Sequence, residues 1–287
     1  MPIARAFVAG AGLMGHGIAQ VLAGAGRTVD LYEPELARAV AGRERIAANL
    51  ERAVAKGRLD PATRVEILDR IAATDRLAAV AEADLVVEAI FEDEAAKRAL
   101  WASIDGLAPG RAIFATNTSS ISIDRLAQAL APGRRPAFCG MHFFSPVPVM
   151  PLVELIRGSA TDDATAVAVR ALAGDLGKQL IVSADRPGFI VNRILMPLVV
   201  EAMRALEEGI GTPEDIDTGA RVGLNHPMGP LALADFIGLD VVLGIMRVLH
   251  ADLGDERFRP PRVLEDHVAA GRLGQKTGAG FFTYPRG

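Results

Sequence analysis

Short apolar runs alternate with helical periods through the first half of the chain. The predicted strands cover residues 3–9, 28–32, 84–89 and 112–116. The predicted helices cover residues 18–25, 36–55 and 61–70, and one more passes through Lys97 and Trp101. The second and third of these helices form a hairpin hinged near Gly57. Strands that alternate with helices in this way predict a parallel sheet with helices on both faces.

The pattern changes after about residue 183, because almost every later segment has a helical period. Pro187-Gly188 marks the break, and residues 191–208 form a long apolar helix candidate. Thr212-Pro213, followed by two acids, is typical of a helix start with a cap and a first-turn proline. We therefore expect an α/β domain over residues 1–185 and an all-α domain over residues 186–287, meeting near residues 184–187.

Composition narrows the class of protein. The chain has 287 residues, of which 50% are hydrophobic and 23% charged, so it can bury a sizeable core and is not mainly disordered. Its net charge of −4 argues against a general nucleic-acid binder. The single cysteine, Cys139, permits no intrachain disulfide, which fits a reducing compartment. Because no membrane span or targeting segment is evident, we expect a soluble cytoplasmic protein that binds neither membranes nor nucleic acid.

A glycine-rich turn follows the first predicted strand and opens a helix. Its sequence is Gly10-Ala-Gly12-Leu-Met-Gly15. In a Rossmann-type fold the first glycine permits the tight turn, the second lets a pyrophosphate approach the backbone, and the third packs helix on strand. The phosphates then lie against unpaired N–H groups at the helix N-terminus. We therefore predict a dinucleotide site that includes Gly10, Gly12, Leu13, Met14 and Gly15.

Glu33 supports the same prediction. It ends the second predicted strand, eighteen residues beyond Gly15, where an acid can bind the adenosine ribose hydroxyls. Its charge would repel the 2′-phosphate of NADP, so we expect NAD to be preferred. That preference is incomplete if Arg38 reaches the site from the following helix. The competing interpretation is a solvent-exposed glutamate in a loop.

Among the five histidines, His142 differs from the others. It ends an apolar run and precedes a proline-rich connection, after which a short strand carries Glu154. A carboxylate beside an imidazole fixes its tautomer and stabilises the cation formed on proton uptake, as a general base requires. From spacing alone, a buried structural histidine is an equally good interpretation. The remaining four are expected to be structural or solvated: His16, His226, His250 and His267. No cluster has a metal-ligand spacing, so we expect no metal.

Several motifs besides the glycine turn and the segment from His142 to Glu154 extend along the chain. They are Glu88-Ala-Ile-Phe-Glu92 with Lys97, Asn117-Thr-Ser119-Ser120, Asp185-Arg-Pro-Gly-Phe-Ile-Val-Asn192-Arg193, His226-Pro-Met-Gly-Pro230 and Gly274-Gln-Lys-Thr-Gly-Ala-Gly-Phe281. Together they cover nearly the whole chain. With them the chain resembles the L-3-hydroxyacyl-CoA dehydrogenases, particularly the short bacterial 3-hydroxybutyryl-CoA type.

The resemblance implies reversible oxidation of a short 3-hydroxyacyl-CoA to the 3-ketoacyl form, with hydride passing to NAD. It implies that His142 is the base and Glu154 its orienting partner. The hydrogen-bond donors around the reacting oxygen and the nicotinamide would be Ser119 and Asn192. The remaining cofactor contacts that it implies are Glu92, Lys97 and Asn117. Lys56 matches a lysine near the CoA phosphates, although a solvated helix-end lysine is an equally good interpretation.

Two positions depart from the family pattern. Ser145 replaces an asparagine and Pro151 replaces a lysine. A serine hydroxyl is shorter than the amide, so a substrate contact at Ser145 would be lost or bridged by water, which affects acyl specificity.

The sequence leaves two alternative functions open. One is a dehydrogenase for hydroxyacyl groups on an acyl carrier protein, and the other is a non-catalytic NAD-binding protein of the same fold. The intact catalytic set argues against the second alternative, because sensing needs no proton acceptor. We expect a homodimer through residues 191–200 and 231–249, whose apolar positions exceed what one small helical layer buries. We expect the active site between the two domains.

Overall fold

The computed structural model describes residues 3–285, which divide after Arg186 into two compact units. The first unit contains strands and helices, and the second contains helices. Within the described residues no helix is both long enough and apolar enough to cross a membrane.

The first unit is built on one eight-stranded sheet. Its strands are β1 (Arg5–Ala9), β2 (Thr28–Tyr32), β3 (Ile71–Thr74), β4 (Leu85–Glu88), β5 (Ile113–Thr116), β6 (Phe138–Phe143), β7 (Leu152–Arg157) and β8 (Gln179–Ala184). They lie in the order β3-β2-β1-β4-β5-β6-β7-β8. The chain order reverses between β1 and β4, and ligands of open α/β sheets bind outside the strand ends at such a reversal.

Six helices accompany this sheet. They are α1 (Leu13–Gly24), α2 (Leu36–Ala55), α3 (Pro61–Asp69), α4 (Glu94–Asp105), α5 (Ile123–Ala127) and α6 (Asp163–Asp175). The predicted hairpin of α2 and α3 is confirmed, with Asp60 capping α3 through bonds from two backbone N–H groups. Helix α1 begins five residues before its predicted start, because the helix already includes the last glycine of the turn.

The parallel sheet predicted for the strands of residues 3–116 is confirmed, and one later pair of strands has the opposite direction. Strands β6 and β7 are antiparallel, whereas every other neighbouring pair is parallel. The reason is the connection over residues 144–151, which is too short for the crossover that a parallel pair needs. The antiparallel register places His142 directly opposite Glu154.

The core of the first unit lies on both faces of the central strands. Phe7 and Val8 of β1 are fully buried on opposite faces, as expected for a strand covered by helices on both sides. Cys139 of β6 is also fully buried. Fully burying a side chain such as that of Phe7 or Val8 contributes about 1.5–3 kcal/mol to folding.

The second unit is helical, as the pattern predicts. Its helices are α7 (Val191–Glu207), α8 (Pro213–Thr218), α9 (Pro230–Ile237), α10 (Leu239–Leu253) and α11 (Arg262–Ala269). The hydroxyl of Thr212 accepts a hydrogen bond from the backbone N–H of Asp215, so the predicted start of α8 is confirmed. Gly238, with φ of +103°, separates α9 from α10 within a segment that the sequence presents as one apolar run. Most apolar side chains of that run are buried inside the unit, including Leu231, Val242 and Met246.

Candidate active site

Two glycines of the turn after β1 are required by the protein itself. Gly10 has φ of +104°, and a Cβ added there would lie 2.5 Å from the carbonyl oxygen of Ala89. A Cβ at Gly15 would lie 1.7 Å from the carbonyl oxygen of Gly10. Both positions therefore exclude any side chain, Gly10 because the backbone after β4 lies against it and Gly15 because α1 packs directly against the turn.

Gly12 is different, because nothing in the protein requires a glycine there. Its φ is −68°, which any residue adopts, and a Cβ would meet no atom within 4 Å. The open space lies at the N-terminus of α1, where backbone N–H groups lack helical partners. A pyrophosphate that approaches the backbone needs this space. The turn therefore fits a dinucleotide, with Leu13 exposed and Met14 partly buried in the first helical turn.

Glu33 is not the exposed loop residue of the competing interpretation. It is buried just beyond β2, and its Oε1 accepts a hydrogen bond of 2.8 Å from the backbone N–H of Ala11. The Nε of Arg38 lies 3.9 Å from the Oε2 of Glu33. Oε1 of Glu33 thus binds the glycine turn, while the guanidinium of Arg38 lies near Oε2. The ribose contact of Glu33 stays a prediction.

His142 and Glu154 form a hydrogen-bonded pair across β6 and β7. The Nδ1 of His142 lies 2.8 Å from the Oε2 of Glu154, and Glu154 is completely buried. A carboxylate only accepts, so Nδ1–H donates, and the neutral imidazole then carries its acceptor lone pair on Nε2. The ring of Phe144 packs against the imidazole at a centroid distance of 4.4 Å. This arrangement can remove a proton and stabilise the resulting imidazolium.

Asn117 joins the ends of three strands. Regular pairing of β5 with β6 ends at Thr116. Beyond it, the Oδ1 of Asn117 accepts from the backbone N–H of Phe143 at 2.9 Å, and its own N–H donates to the carbonyl of Glu88. The residue next to His142 is thereby held where the ladder has stopped. The cofactor contact of Asn117 stays a prediction, and this structural bond was not predicted.

Lys97 is enclosed between two carboxylates. Its side chain is 1% exposed, and Nζ lies 2.6 Å from Glu88 Oε1 and 3.3 Å from Glu92 Oε2. Glu88 Oε2 also accepts from the hydroxyl of Thr116 at 2.6 Å. Sequence reasoning missed Glu88 as a site residue, although a charge inside an apolar strand signals a buried partner. The cofactor contact of Lys97 stays a prediction, and its ammonium lies between Glu88, the nearer partner, and Glu92.

The carboxylate of Glu92 binds the segment that follows β5. Its Oε1 accepts from the hydroxyl of Thr118 at 2.6 Å and from the backbone N–H of Ser119 at 2.8 Å. Burial alone would raise the pKa of Glu92, but the charge of Lys97 and these hydrogen bonds together outweigh it. The pKa is therefore lowered from the ordinary 4.5, and the group is an anion at neutral pH.

The other predicted site residues occupy separate positions. Lys56 is exposed and caps the C-terminus of α2. Ser145 is partly buried in the connection between β6 and β7. Pro151 is exposed, and its carbonyl accepts from the N–H of Gln179 at 2.7 Å, so the pairing of β7 with β8 tolerates proline there. Asn192 belongs to the second unit, buried in the first turn of α7. Over residues 3–285, no group of three or more potential ligands is arranged to hold a metal ion.

Comparison with known families identifies both units. Residues 5–186 match the NAD binding domain of 3-hydroxyacyl-CoA dehydrogenase, and residues 188–284 match the C-terminal domain of the same enzyme. The chain belongs to the 3-hydroxyacyl-CoA dehydrogenase family. Membership confirms the resemblance, the α/β fold with a helical C-terminal domain, and an NAD-dependent dehydrogenase with NAD as its cofactor.

Relatives in this family are similar over almost their whole length. A 3-hydroxybutyryl-CoA dehydrogenase of Bradyrhizobium diazoefficiens is 48% identical over 282 residues, covering 98% of this chain and 96% of the relative. A probable 3-hydroxybutyryl-CoA dehydrogenase of Bacillus subtilis is 46% identical over 284 residues, covering 99% and 98%. The crystal structure of (S)-3-hydroxybutyryl-CoA dehydrogenase from Ralstonia eutropha has a TM-score of 0.94 at 44% identity, covering 99% of this chain and 100% of that chain.

Proposed function

We propose that this dehydrogenase oxidises the 3-hydroxyl of a short 3-hydroxyacyl-CoA, such as 3-hydroxybutyryl-CoA, to the ketone, and also catalyses the reverse reaction. The observation that carries the proposal is the 2.8 Å hydrogen bond from His142 to Glu154. A protein that only binds NAD has no need of a proton acceptor braced by a buried carboxylate. The names of the relatives support the acyl chain length.

His142 handles the proton of the substrate hydroxyl. Because Nδ1 donates to Glu154, the lone pair on Nε2 is the acceptor that takes this proton during oxidation. The imidazole becomes a cation, which the buried carboxylate of Glu154 stabilises at short range. Bound NAD would supply the acceptor for the hydride that leaves C3. In the reverse direction the imidazolium returns its proton to the ketone oxygen.

Ser119 and Asn192 belong to the proposal as hydrogen-bond donors around the reacting oxygen and the nicotinamide. Lys56 belongs to it as a contact to the CoA phosphates, since its exposed ammonium is available to an anion. Ser145 is the proposed acyl-side contact. These assignments come from the matching motifs.

We also propose a homodimer that forms through the helical unit. The unit exposes large apolar side chains that its own core does not cover, namely Ile194, Val222, Leu224, Phe236 and Val241. Exposed apolar surface of this kind marks an interface between chains. Light scattering at micromolar concentration is expected to give twice the chain mass of 30.3 kDa.

We propose a cytoplasmic location, where NAD and acyl-CoA are both available. Cell fractionation tests this location.

Absorbance at 340 nm tests the reaction directly. Purified protein with NADH and acetoacetyl-CoA is expected to consume NADH, and longer 3-ketoacyl-CoAs are expected to react more slowly. Activity confined to a ketoacyl group on an acyl carrier protein would instead assign the substrate to a carrier. No turnover with any thioester, from protein that binds NAD, would contradict the proposal.

A further inference from the structure

The segment from Asn117 to Ser120 carries the predicted substrate-side hydroxyl, and it lies beyond the last regular pair of β5. Its geometry therefore depends on bonds other than the strand ladder. Most of these bonds converge on one atom, Oε1 of Glu92. The donors are Thr118 Oγ1 at 2.6 Å, Ser119 N at 2.8 Å, and Ser119 Oγ, Ser120 N and Ser120 Oγ at 3.2 Å each.

The other oxygen of the Glu92 carboxylate contacts a buried lysine. Oε2 of Glu92 lies 3.3 Å from the ammonium of Lys97, which in turn bonds to Glu88 at 2.6 Å. Glu88 is fully buried at the end of β4 and Lys97 comes from α4. The position of the Glu92 carboxylate is thus set by the rigid part of the sheet, and charge-assisted bonds carry that position to the segment.

We propose that Glu92 is a positioning residue that holds the backbone at Ser119, so that the hydroxyl of Ser119 lies within reach of the substrate oxygen and can turn from Glu92 to donate to it. The proposal rests on the proposed function for the role of Ser119, and it differs from the direct cofactor contact that the family motif implies for Glu92. Each described group that bonds to this carboxylate acts as a donor. Hydroxyl and N–H groups face Oε1, and an ammonium faces Oε2.

Substitution of Glu92 by glutamine therefore tests the positioning role directly. An amide presents one acceptor and one donor group. Whichever way it turns in Glu92→Gln, its NH2 group meets donors, either from Thr118 and Ser119 or from Lys97. The variant keeps the size of the side chain and loses either the bonds to Thr118 and Ser119 or the bond to Lys97.

A double-mutant cycle tests the proposal through turnover. Glu92→Gln is expected to lower kcat by about 10- to 100-fold, the size of effect that misplacement of a reacting group produces. In the Ser119→Ala background the same substitution is expected to change kcat by less than about twofold, because its effect passes through the missing hydroxyl. The affinity for NAD, measured by titration, is expected to stay within about threefold of the wild type in both backgrounds. A loss of similar size in both backgrounds would falsify the positioning role and favour a direct cofactor contact.

Hydrogen exchange supplies a readout that does not depend on activity. The amides of Ser119 and Ser120 donate to Glu92, so they are expected to exchange faster in Glu92→Gln than in the wild type. The matched control is Glu94→Gln, which removes a neighbouring carboxylate that pairs with Arg125 and not with this segment. The control is expected to leave exchange at residues 118–120 and turnover unchanged.

The turnover measurement and the hydrogen-exchange measurement test the proposed function and the positioning role of Glu92 separately. If the wild type turns over no hydroxyacyl thioester, the proposed function is wrong. Faster exchange in Glu92→Gln alone then still supports the positioning of Ser119 by Glu92. Unchanged exchange at residues 118–120 in Glu92→Gln overturns the proposal, whatever the activity.

Discussion

Gly12 and Gly15 lie in the same turn, three residues apart, and they are glycines for different reasons. A Cβ at Gly15 would collide with the backbone of Gly10, whereas a Cβ at Gly12 would meet no protein atom within 4 Å. Gly15 therefore serves the fold, whereas the proposed role of Gly12 is to let a ligand come close to the backbone.

The first prediction separates these two roles. Gly12→Ala is expected to retain the thermal midpoint of the wild type and to weaken NAD binding at least about tenfold, a free-energy cost of about 1.4 kcal/mol. Gly15→Ala is expected to lower the thermal midpoint by several degrees or to prevent folding, because overpacking costs about 1–3 kcal/mol or more. Thermal unfolding and NAD titration on the same preparations check both. Equal NAD affinity in Gly12→Ala and the wild type would show that the open space is not used.

The second prediction concerns the base. His142→Gln is expected to lower kcat about 10²- to 10⁴-fold, the usual contribution of general acid–base catalysis, while NAD affinity stays near that of the wild type. Glu154→Gln is expected to lower kcat as well, because a neutral amide stabilises the imidazolium less than a carboxylate does. His250→Gln, which alters a histidine outside the first unit, is the control for loss of a histidine. If His142 is only structural, the variant loses stability but keeps its turnover per folded molecule.

The third prediction concerns the choice of cofactor. Wild-type kcat/KM is expected to favour NAD over NADP by at least about tenfold, or about 1.4 kcal/mol, because the Glu33 carboxylate would face the 2′-phosphate. Arg38, whose Nε is 3.9 Å from Glu33, partly offsets this repulsion. Arg38→Ala is therefore expected to widen the preference for NAD, and Glu33→Gln to narrow it. Equal ratios in the wild type and both variants would remove Glu33 from the choice.

The fourth prediction concerns stability and pH. The folded-state pKa of Glu92 lies below the ordinary 4.5, so the unfolded chain binds this proton more tightly than the folded one. Glu92 therefore stabilises the fold above about pH 4.5, and this contribution declines as the pH falls through the folded-state pKa. The difference in urea midpoint between the wild type and Glu92→Gln is expected to be largest near neutral pH and to shrink in acid. A constant difference across this range would assign the effect to packing instead.

Sequence reasoning located the parts of the site that depend on local order. The pairing of His142 with Glu154 follows from a short connection between two apolar strands, and the glycine turn follows from its own spacing. Strand β3 was missed because it has four residues, of which only Ile71 is buried. Strand β8 was also missed, although its apolar residues Leu180, Ile181 and Val182 are typical of a strand.

The bonds that cross between elements were not predictable in this way. The link of Lys97 to Glu88 joins a helix to a strand, and sequence alone gives the need for a partner but not its identity. The bond from Phe143 to Asn117 depends on where β5 and β6 separate, which no local pattern records. Only the folded chain brings hydroxyl and N–H groups of Thr118, Ser119 and Ser120 to the single carboxylate of Glu92.

Cys139 gives this protein a built-in reporter. It is the only cysteine in the sequence, and it lies fully buried on β6, the strand that carries the proposed base His142. Burial raises the pKa of its thiol to about 12, so almost no thiolate is present in the folded chain at neutral pH. Alkylating reagents can then modify the chain only when β6 opens. The rate of labelling at this single sulfur atom therefore measures how often β6 leaves the sheet, without any engineered probe.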